Sequence, residues 1–134
     1  LLEYNMRLGD PETQVIMALL ESNLLDVFTD CLDGKDLDLR FSDKKAVCLV
    51  MTSGGYPGNY EIGYEITGLD KVKESEVLFA GAEIHQGKVV TSGGRVLNIV
   101  ATGDTYQEAR KKVYQDALTL RFDYAYYRED IGDF

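Results

Sequence analysis

Strict alternation of apolar and polar residues opens the chain. Leu2, Tyr4, Met6 and Leu8 fall on one side of an extended segment, and Glu3, Asn5 and Arg7 fall on the other. That is the period of a strand with one covered face. A lone strand cannot cover its own apolar face. The segment is therefore expected to belong to the sheet of a longer protein, of which this is the C-terminal piece, or to add to the sheet formed later in the chain. Gly9-Asp10-Pro11-Glu12 predicts a helix start, with Asp10 as N-cap, Pro11 at the first helical position and Glu12 at the positive end of the helix dipole. Val15, Ile16, Leu19 and Leu20 continue at helical spacing. After Ser22-Asn23 a second helix is predicted over about Leu24 to Leu32, with Gly34 just past its end. Lys35 to Lys45 is charged and irregular and reads as a linker or boundary.

From Ala46 the period changes. Val47–Thr52 is a continuous apolar run of strand length, expected at the centre of a sheet. Ser53-Gly54-Gly55-Tyr56-Pro57-Gly58 is a glycine-rich turn, and Ile62, Tyr64 and Ile66 alternate with Gly63, Glu65 and Thr67 as a half-buried strand. Val77–Ile84 and Lys88–Thr91 flank His85-Gln86-Gly87 as a hairpin. Ser92-Gly93-Gly94 leads into a strand at Arg95–Ala101. A long helix then starts at Asp104-Thr105, with Thr105 and Glu108 spaced for a capping box and Tyr106, Ala109, Val113, Ala117 and Leu120 on one stripe. Phe122–Tyr127 is a short aromatic segment. The predicted class is α+β: a strand and two helices, then a small mixed domain with a largely antiparallel sheet and one long helix.

The composition narrows the function. The 134 residues carry 14 Lys+Arg against 23 Asp+Glu, a formal charge of −9. Most of such a surface repels a phosphate backbone, and no basic cluster with interleaved aromatics offsets it, so no nucleic-acid partner is expected. No apolar run approaches the ~18–20 residues of a membrane helix, so no membrane partner is expected either. Cys31 and Cys48 sit in apolar stretches and read as small buried hydrophobes of a reducing compartment. The expected location is the cytoplasm.

Candidate chemistry starts with the polar side of the first segment. Side chains at 3, 5 and 7 share one strand face. A carboxylate (Glu3) and an amide carbonyl (Asn5) are hard oxygen donors of the type Mg²⁺ takes, and Arg7 beside them offers charge for a transferring phosphoryl group. An outward polar face on an alternating strand is also the common arrangement with no chemistry attached. No Gly-x-x-x-x-Gly-Lys-[Ser/Thr] occurs to cradle a nucleotide.

The stretch Glu3-Tyr4-Asn5-Met6-Arg7-Leu8-Gly9-Asp10-Pro11-Glu12-Thr13-Gln14 resembles the signature of the phosphoribosylamine–glycine ligase (glycinamide ribonucleotide synthetase) family, ATP-grasp enzymes of purine synthesis. Ser53–Gly58, Gly93-Gly94-Arg95-Val96-Leu97 and Tyr127-Arg128-Glu129-Asp130-Ile131-Gly132 also resemble that family. The resemblance runs over nearly the whole chain but covers only the last third of such an enzyme. It implies that residues 1–40 end an ATP-grasp domain and residues 41–134 form the family's C-terminal domain. It implies Mg²⁺ (or Mn²⁺) held by Glu3 and Asn5, with ATP as substrate, and a catalytic Arg7 facing the phosphoryl group. The reaction it implies joins glycine to 5-phosphoribosylamine through glycyl phosphate. The partners implied are the missing N-terminal and ATP-grasp portions of the same enzyme, without which this chain is expected to be inactive and to hold no cofactor tightly.

Substrate-binding positions are expected at Asp10, at Gly54 and Gly55, and at Arg95. Glycines let backbone N–H groups approach an anion, and Arg95 adds a positive charge; two tight turns between strands are the plainer reading of the same residues. His85 is expected to be an exposed turn residue, and Phe122, Tyr124, Tyr126 and Tyr127 to pack against a sheet or a missing domain. The rival to an enzyme fragment is a stand-alone, non-catalytic binding or dimerisation module of the same family. Another ATP-grasp carboxylate–amine ligase shares the Glu3-Asn5-Arg7 pattern, but the Arg7–Gln14 stretch speaks against it.

Overall fold

Val47, Leu49 and Met51 alternate inward along a nine-residue strand, and the rest of the structure is arranged about them. The structure, a computed structural model, describes Tyr4 and residues 6–133. Its elements in chain order are α1 (Glu12–Leu19), α2 (Leu24–Leu32), β1 (Lys45–Ser53), β2 (Glu76–Phe79), β3 (Ala82–His85), β4 (Lys88–Thr91), β5 (Arg95–Gly103), α3 (Tyr106–Ala117) and β6 (Ala125–Tyr126). A 3₁₀ turn covers Leu69–Lys71. Four strands form an antiparallel sheet in the order β2-β5-β1-β6, and β3-β4 is a separate two-stranded hairpin. The architecture is mixed α/β, as expected, and β1 is internal to its sheet. Among the described residues no helix is long and apolar enough to cross a membrane.

Helix α3 covers one face of the sheet. Ala109, Val113 and Ala117, with Leu120 just beyond, meet Leu49, Met51, Leu97 and Ile99, all at most 1% exposed. Thr105 caps α3 by accepting the Glu108 N–H at 3.1 Å. The return half of the predicted capping box is shifted by one residue, because Glu108 Oε2 accepts from the Asp104 N–H at 2.9 Å. Tyr106, the first residue of the predicted stripe, stays exposed.

The pairing of β1 with β5 slips once. Met51 stands opposite Leu97, but Thr52 stands opposite Arg95, so Val96 is an extra residue, a β-bulge. Side chains directly opposite in an antiparallel pair lie on the same face. Unbroken alternation would put Arg95 with Leu97, Ile99 and Ala101 on the α3 side. The bulge moves it to the face of Thr52, Val50 and Cys48. Pro11 shares a groove with those residues and α1 packs against β1 and β5, so this second face is the one α1 meets.

The first forty residues depart most from expectation. The predicted opening strand is not formed at Tyr4 or over Met6–Leu8, where Met6 is 91% exposed. Asp10 is not the N-cap of α1. Pro11 holds that position without a side-chain bond, and the Thr13 N–H instead donates to Gly9 O at 3.0 Å. Helix α2 has its predicted bounds. Asn23 caps its start by accepting the Leu25 N–H, and a Schellman pair closes it, with Lys35 N–H on Asp30 O and Gly34 N–H on Cys31 O. Residues 36–42 then run beside the end of α1, with Leu20 bridged to Phe41.

Two strand predictions need revision. Ile62–Thr67 is extended but makes isolated bridges, Glu65 to Val90 and Thr67 to Arg121, because it crosses between two neighbours and keeps pace with neither. Val77–Ile84 is two strands. The chain bends at Ala80-Gly81, where a Cβ on Gly81 would lie 2.7 Å from Gly93 Cα, so that close crossing is open only to glycine.

Candidate functional site

One groove of about 520 Å³ gathers residues from stretches far apart in the chain. Pro11, Cys48, Val50, Thr52, Tyr56, Pro57, Arg95, Tyr126, Tyr127, Arg128 and Ile131 line it. These come from the α1 start, from β1 and its turn, from the start of β5, and from the C-terminal tail. Each wall has a local cause. The Val96 bulge delivers Arg95. The turn after β1 is tied to the one before β5 by Ser53, whose N–H donates to Gly94 O and whose Oγ donates to Gly93 O, each at 2.8 Å. Tyr56 lies flush on Gly94, where a Cβ would come 2.2 Å from the ring.

The tail is anchored from behind by α3. The Arg110 guanidinium donates to Glu129 O at 2.6 Å and to Ile131 O at 3.1 Å, and it stacks 4.7 Å from the Tyr114 ring. The Tyr114 hydroxyl donates to Arg128 O and accepts the Ile131 N–H. Arg128 in turn makes a bidentate contact with Asp130, at 2.9 and 2.6 Å. Its guanidinium holds the Asp130 carboxyl below the usual carboxylate range.

Arg95 is clasped to Asp10. Its Nη2 lies 3.1 Å from Asp10 Oδ2, and its Nη1 donates to Asp10 O at 2.8 Å. Gln14 Nε2 donates to the other carboxylate oxygen, Oδ1, at 2.8 Å. The Asp10 carboxylate is thus fixed by a guanidinium and an amide, and it reaches across to β5 where a cap was expected. Cys48 in the groove wall is held as the thiol, its pKa pushed to about 11 by burial first and by the Asp10 charge second. A thiol so shifted is no nucleophile at neutral pH.

The sequence-derived candidates fall into three groups. Asp10 and Arg95 come together at the groove. Gly54 borders an adjoining hollow, and Gly55 presses on Asn59 O with φ +96°, a turn-forming role. Arg7 is exposed and donates to Leu8 O at 3.0 Å, outside the groove lining. Glu3 and Asn5 lie outside the described residues. Among the described residues no group of three or more His, Cys, Asp and Glu stands together as a metal site. Sequence reasoning gave no role to Tyr56, Tyr126, Tyr127 and Arg128 in the groove, although the segments bearing Tyr56 and Arg128 are among those that carry the family resemblance.

Comparison with known proteins gives a consistent picture. The family described as "Phosphoribosylglycinamide synthetase, C domain" matches residues 46–134. Phosphoribosylamine–glycine ligase of Caldanaerobacter subterraneus subsp. tengcongensis is 50% identical over 98% of this chain and 32% of that protein. The chicken protein named trifunctional purine biosynthetic protein adenosine-3 is 43% identical over 98% of this chain and 14% of that protein. The crystal structure of phosphoribosylamine–glycine ligase from Thermotoga maritima superposes with a TM-score of 0.85 at 40% identity, over 96% of this chain and 32% of that one. The chain therefore spans about a third of the length of the single-function relatives it matches.

Proposed function

The chain belongs to the phosphoribosylglycinamide synthetase family, and from that premise we propose that it is the C-terminal part of a phosphoribosylamine–glycine ligase acting in the cytoplasm. Residues 1–40 are then the end of an ATP-grasp domain and residues 41–134 its C-terminal domain. The complete enzyme joins glycine to 5-phosphoribosylamine. Glycine's carboxylate attacks the γ-phosphorus of ATP, ADP leaves, and glycyl phosphate forms. The amine of phosphoribosylamine then attacks the glycyl carbonyl and phosphate departs, leaving glycinamide ribonucleotide. Such chemistry needs clustered anions neutralised and a reactive acyl phosphate kept from water.

The observation that carries this reading is the convergence of separate stretches on one groove: Pro11, Tyr56-Pro57, Arg95 and Tyr127-Arg128. Arg95 and Arg128 bring guanidinium donors to otherwise apolar walls, each held there by a carboxylate, Asp10 and Asp130 respectively, with which an anionic substrate competes. Asp10 serves the site by holding Arg95, and the clasp ties the Arg7–Gln14 stretch to the glycine-rich turns. Gly54 and Gly55 shape the turn that carries Tyr56. Arg7, exposed, is the proposed catalytic cation. Glu3 and Asn5 supply a carboxylate and an amide oxygen, donor types that suit Mg²⁺, which when bound neutralises phosphate charge.

The proposed partners are the remaining portions of the same enzyme. Leu25, Phe28 and Leu32 form an exposed apolar stripe on α2, the kind of face a neighbouring domain covers. By itself the chain lacks a nucleotide cradle and is expected to catalyse nothing. The test is complementation. A chimaera in which this chain replaces the matching third of the Caldanaerobacter ligase is expected to restore growth without purines to a bacterium deleted for its own ligase. A well-expressed, folded chimaera that fails to do so would count against the proposal.

A further inference from the structure

The turn after β1 borders a second hollow, of about 410 Å³, lined by Gly54, Asn59, Tyr60, Glu61, Tyr64 and Tyr124. Three of the six residues are tyrosines, and the single charge is the Glu61 carboxylate. Tyr64 and Tyr124 meet edge to face with centroids 5.6 Å apart and an interplanar angle of 61°. The Tyr64 hydroxyl donates to Glu61 Oε2, which fixes the carboxylate beside the rings.

Tyr124 is held there against its own backbone preference. Its φ is +59°, a region that bulky residues rarely enter. Its main chain also passes so close to Gly54 that a Cβ on that glycine would lie 2.7 Å from Tyr124 O. The residue is nevertheless 72% exposed, so burial does not explain the arrangement. What the arrangement provides is an aromatic wall next to a carboxylate. Ring faces are electronegative, and a desolvated cation over them is attracted by the quadrupole as well as by the carboxylate. The local field has the same sign. The Tyr64 hydroxyl is pushed to about 12, first by its bond to Glu61, then by burial, then by the charge of Glu61, with smaller contributions from Tyr124 and Asp123.

We propose that this hollow binds an organic monocation, an alkylammonium group seated against Tyr60, Tyr64 and Tyr124 with Glu61 as its counter-charge. The site lies outside the groove assigned to the ligase chemistry and does not depend on that assignment.

The experiment is an NMR titration of the whole chain with tetramethylammonium chloride, with neopentyl alcohol as the neutral isostere. The chain has no tryptophan, so tyrosine ring signals dominate the aromatic region. Saturable shifts of the Tyr60, Tyr64 and Tyr124 ring resonances are expected with the cation only. Tyr124→Leu is expected to weaken binding by about threefold or more, the scale of one cation–π contact. Glu61→Gln is expected to weaken it as well, while Tyr124→Phe, which keeps the ring, leaves it nearly unchanged and guards against misfolding of the leucine variant. Equal shifts from neopentyl alcohol, shifts without saturation, or unchanged binding by both Tyr124→Leu and Glu61→Gln would overturn the proposal. A parallel titration distinguishes the source of the cation. Preference for Nα-acetyl-lysine amide, whose ε-ammonium is free, assigns the site to a protein side chain, and preference for methylammonium assigns it to a free amine.

Discussion

Asp116 offers the sharpest test of how the C-terminal body is held together. It is 4% exposed on the last turn of α3, where the helix dipole disfavours a negative charge. Its carboxylate accepts the Lys73 N–H at 3.1 Å on Oδ1 and the Glu74 N–H at 2.8 Å on Oδ2. It therefore clips the loop after the 3₁₀ turn onto the helix. Burial, the largest single influence, pushes its carboxyl up, but the backbone N–H groups of Glu74 and Lys73 together with Ser75 outweigh it and hold the group below the ordinary aspartate value. Asp116→Ala orphans two inward-facing donors at about 1–3 kcal/mol each, so a loss of about 2–6 kcal/mol is expected, toward the lower end if water enters the loop. Asp116→Asn keeps one acceptor and turns an NH₂ toward the other donor, for a loss of about 1.5–3 kcal/mol. The sign with pH follows from the depressed folded-state pKa. The stabilisation is complete above the unfolded value of about 3.9 and is lost as pH falls through the folded one. Urea midpoints of wild type and Asp116→Asn should thus differ clearly at pH 7 and converge in acid, for as long as both remain folded. Equal midpoints at pH 7, or a gap that stays constant down to acid unfolding, would refute the reasoning.

Three further outcomes are expected. The Asp10–Arg95 pair is half-exposed, with side chains 47% and 39% accessible, so a double-mutant cycle on urea stability should give a coupling below about 1 kcal/mol. In the complete ligase, by contrast, Arg95→Ala should raise the Michaelis constants for glycine or phosphoribosylamine or lower turnover, and unchanged kinetics would remove Arg95 from the site. In an alkaline absorbance titration Tyr64, held at about 12, should ionise among the last of the nine tyrosines, and Glu61→Gln should shift it back toward the ordinary range; no change would show that Glu61 does not set its ionisation.

Where the fold was legible in the sequence, the cause was local. Thr105 accepts the Glu108 N–H three residues on. Gln86 and Gly87 both carry positive φ in the two-residue turn between His85 and Lys88. Gly34 closes α2 because it tolerates φ +68°. Where the reading failed, the deciding partner was remote. The alternation of Tyr4, Met6 and Leu8 is a strand pattern, yet none of the three lies in a strand. Asp10 has the chemistry of a cap, yet Arg95, eighty-five residues away, takes its carboxylate. The Val96 bulge has no signature of its own in a run that is apolar from Val96 to Ala101 except at Asn98, and without it Arg95 points into the core. The groove follows from that bulge together with the Arg110 and Tyr114 anchors of the tail. Individual segments could be picked out in the sequence, but their meeting depends on the tertiary fold.

The central claim is that this chain is the last part of a working glycine ligase. Its most direct test is an assay of ADP formation by the purified chimaera carrying this chain in the Caldanaerobacter ligase, with glycine and 5-phosphoribosylamine each present or omitted. The account predicts ADP release and glycinamide ribonucleotide only when both are supplied, loss of both with Arg7→Ala, and none from the 134-residue chain alone. A folded chimaera without glycine-dependent ADP formation, or ligation by the isolated chain, would contradict it.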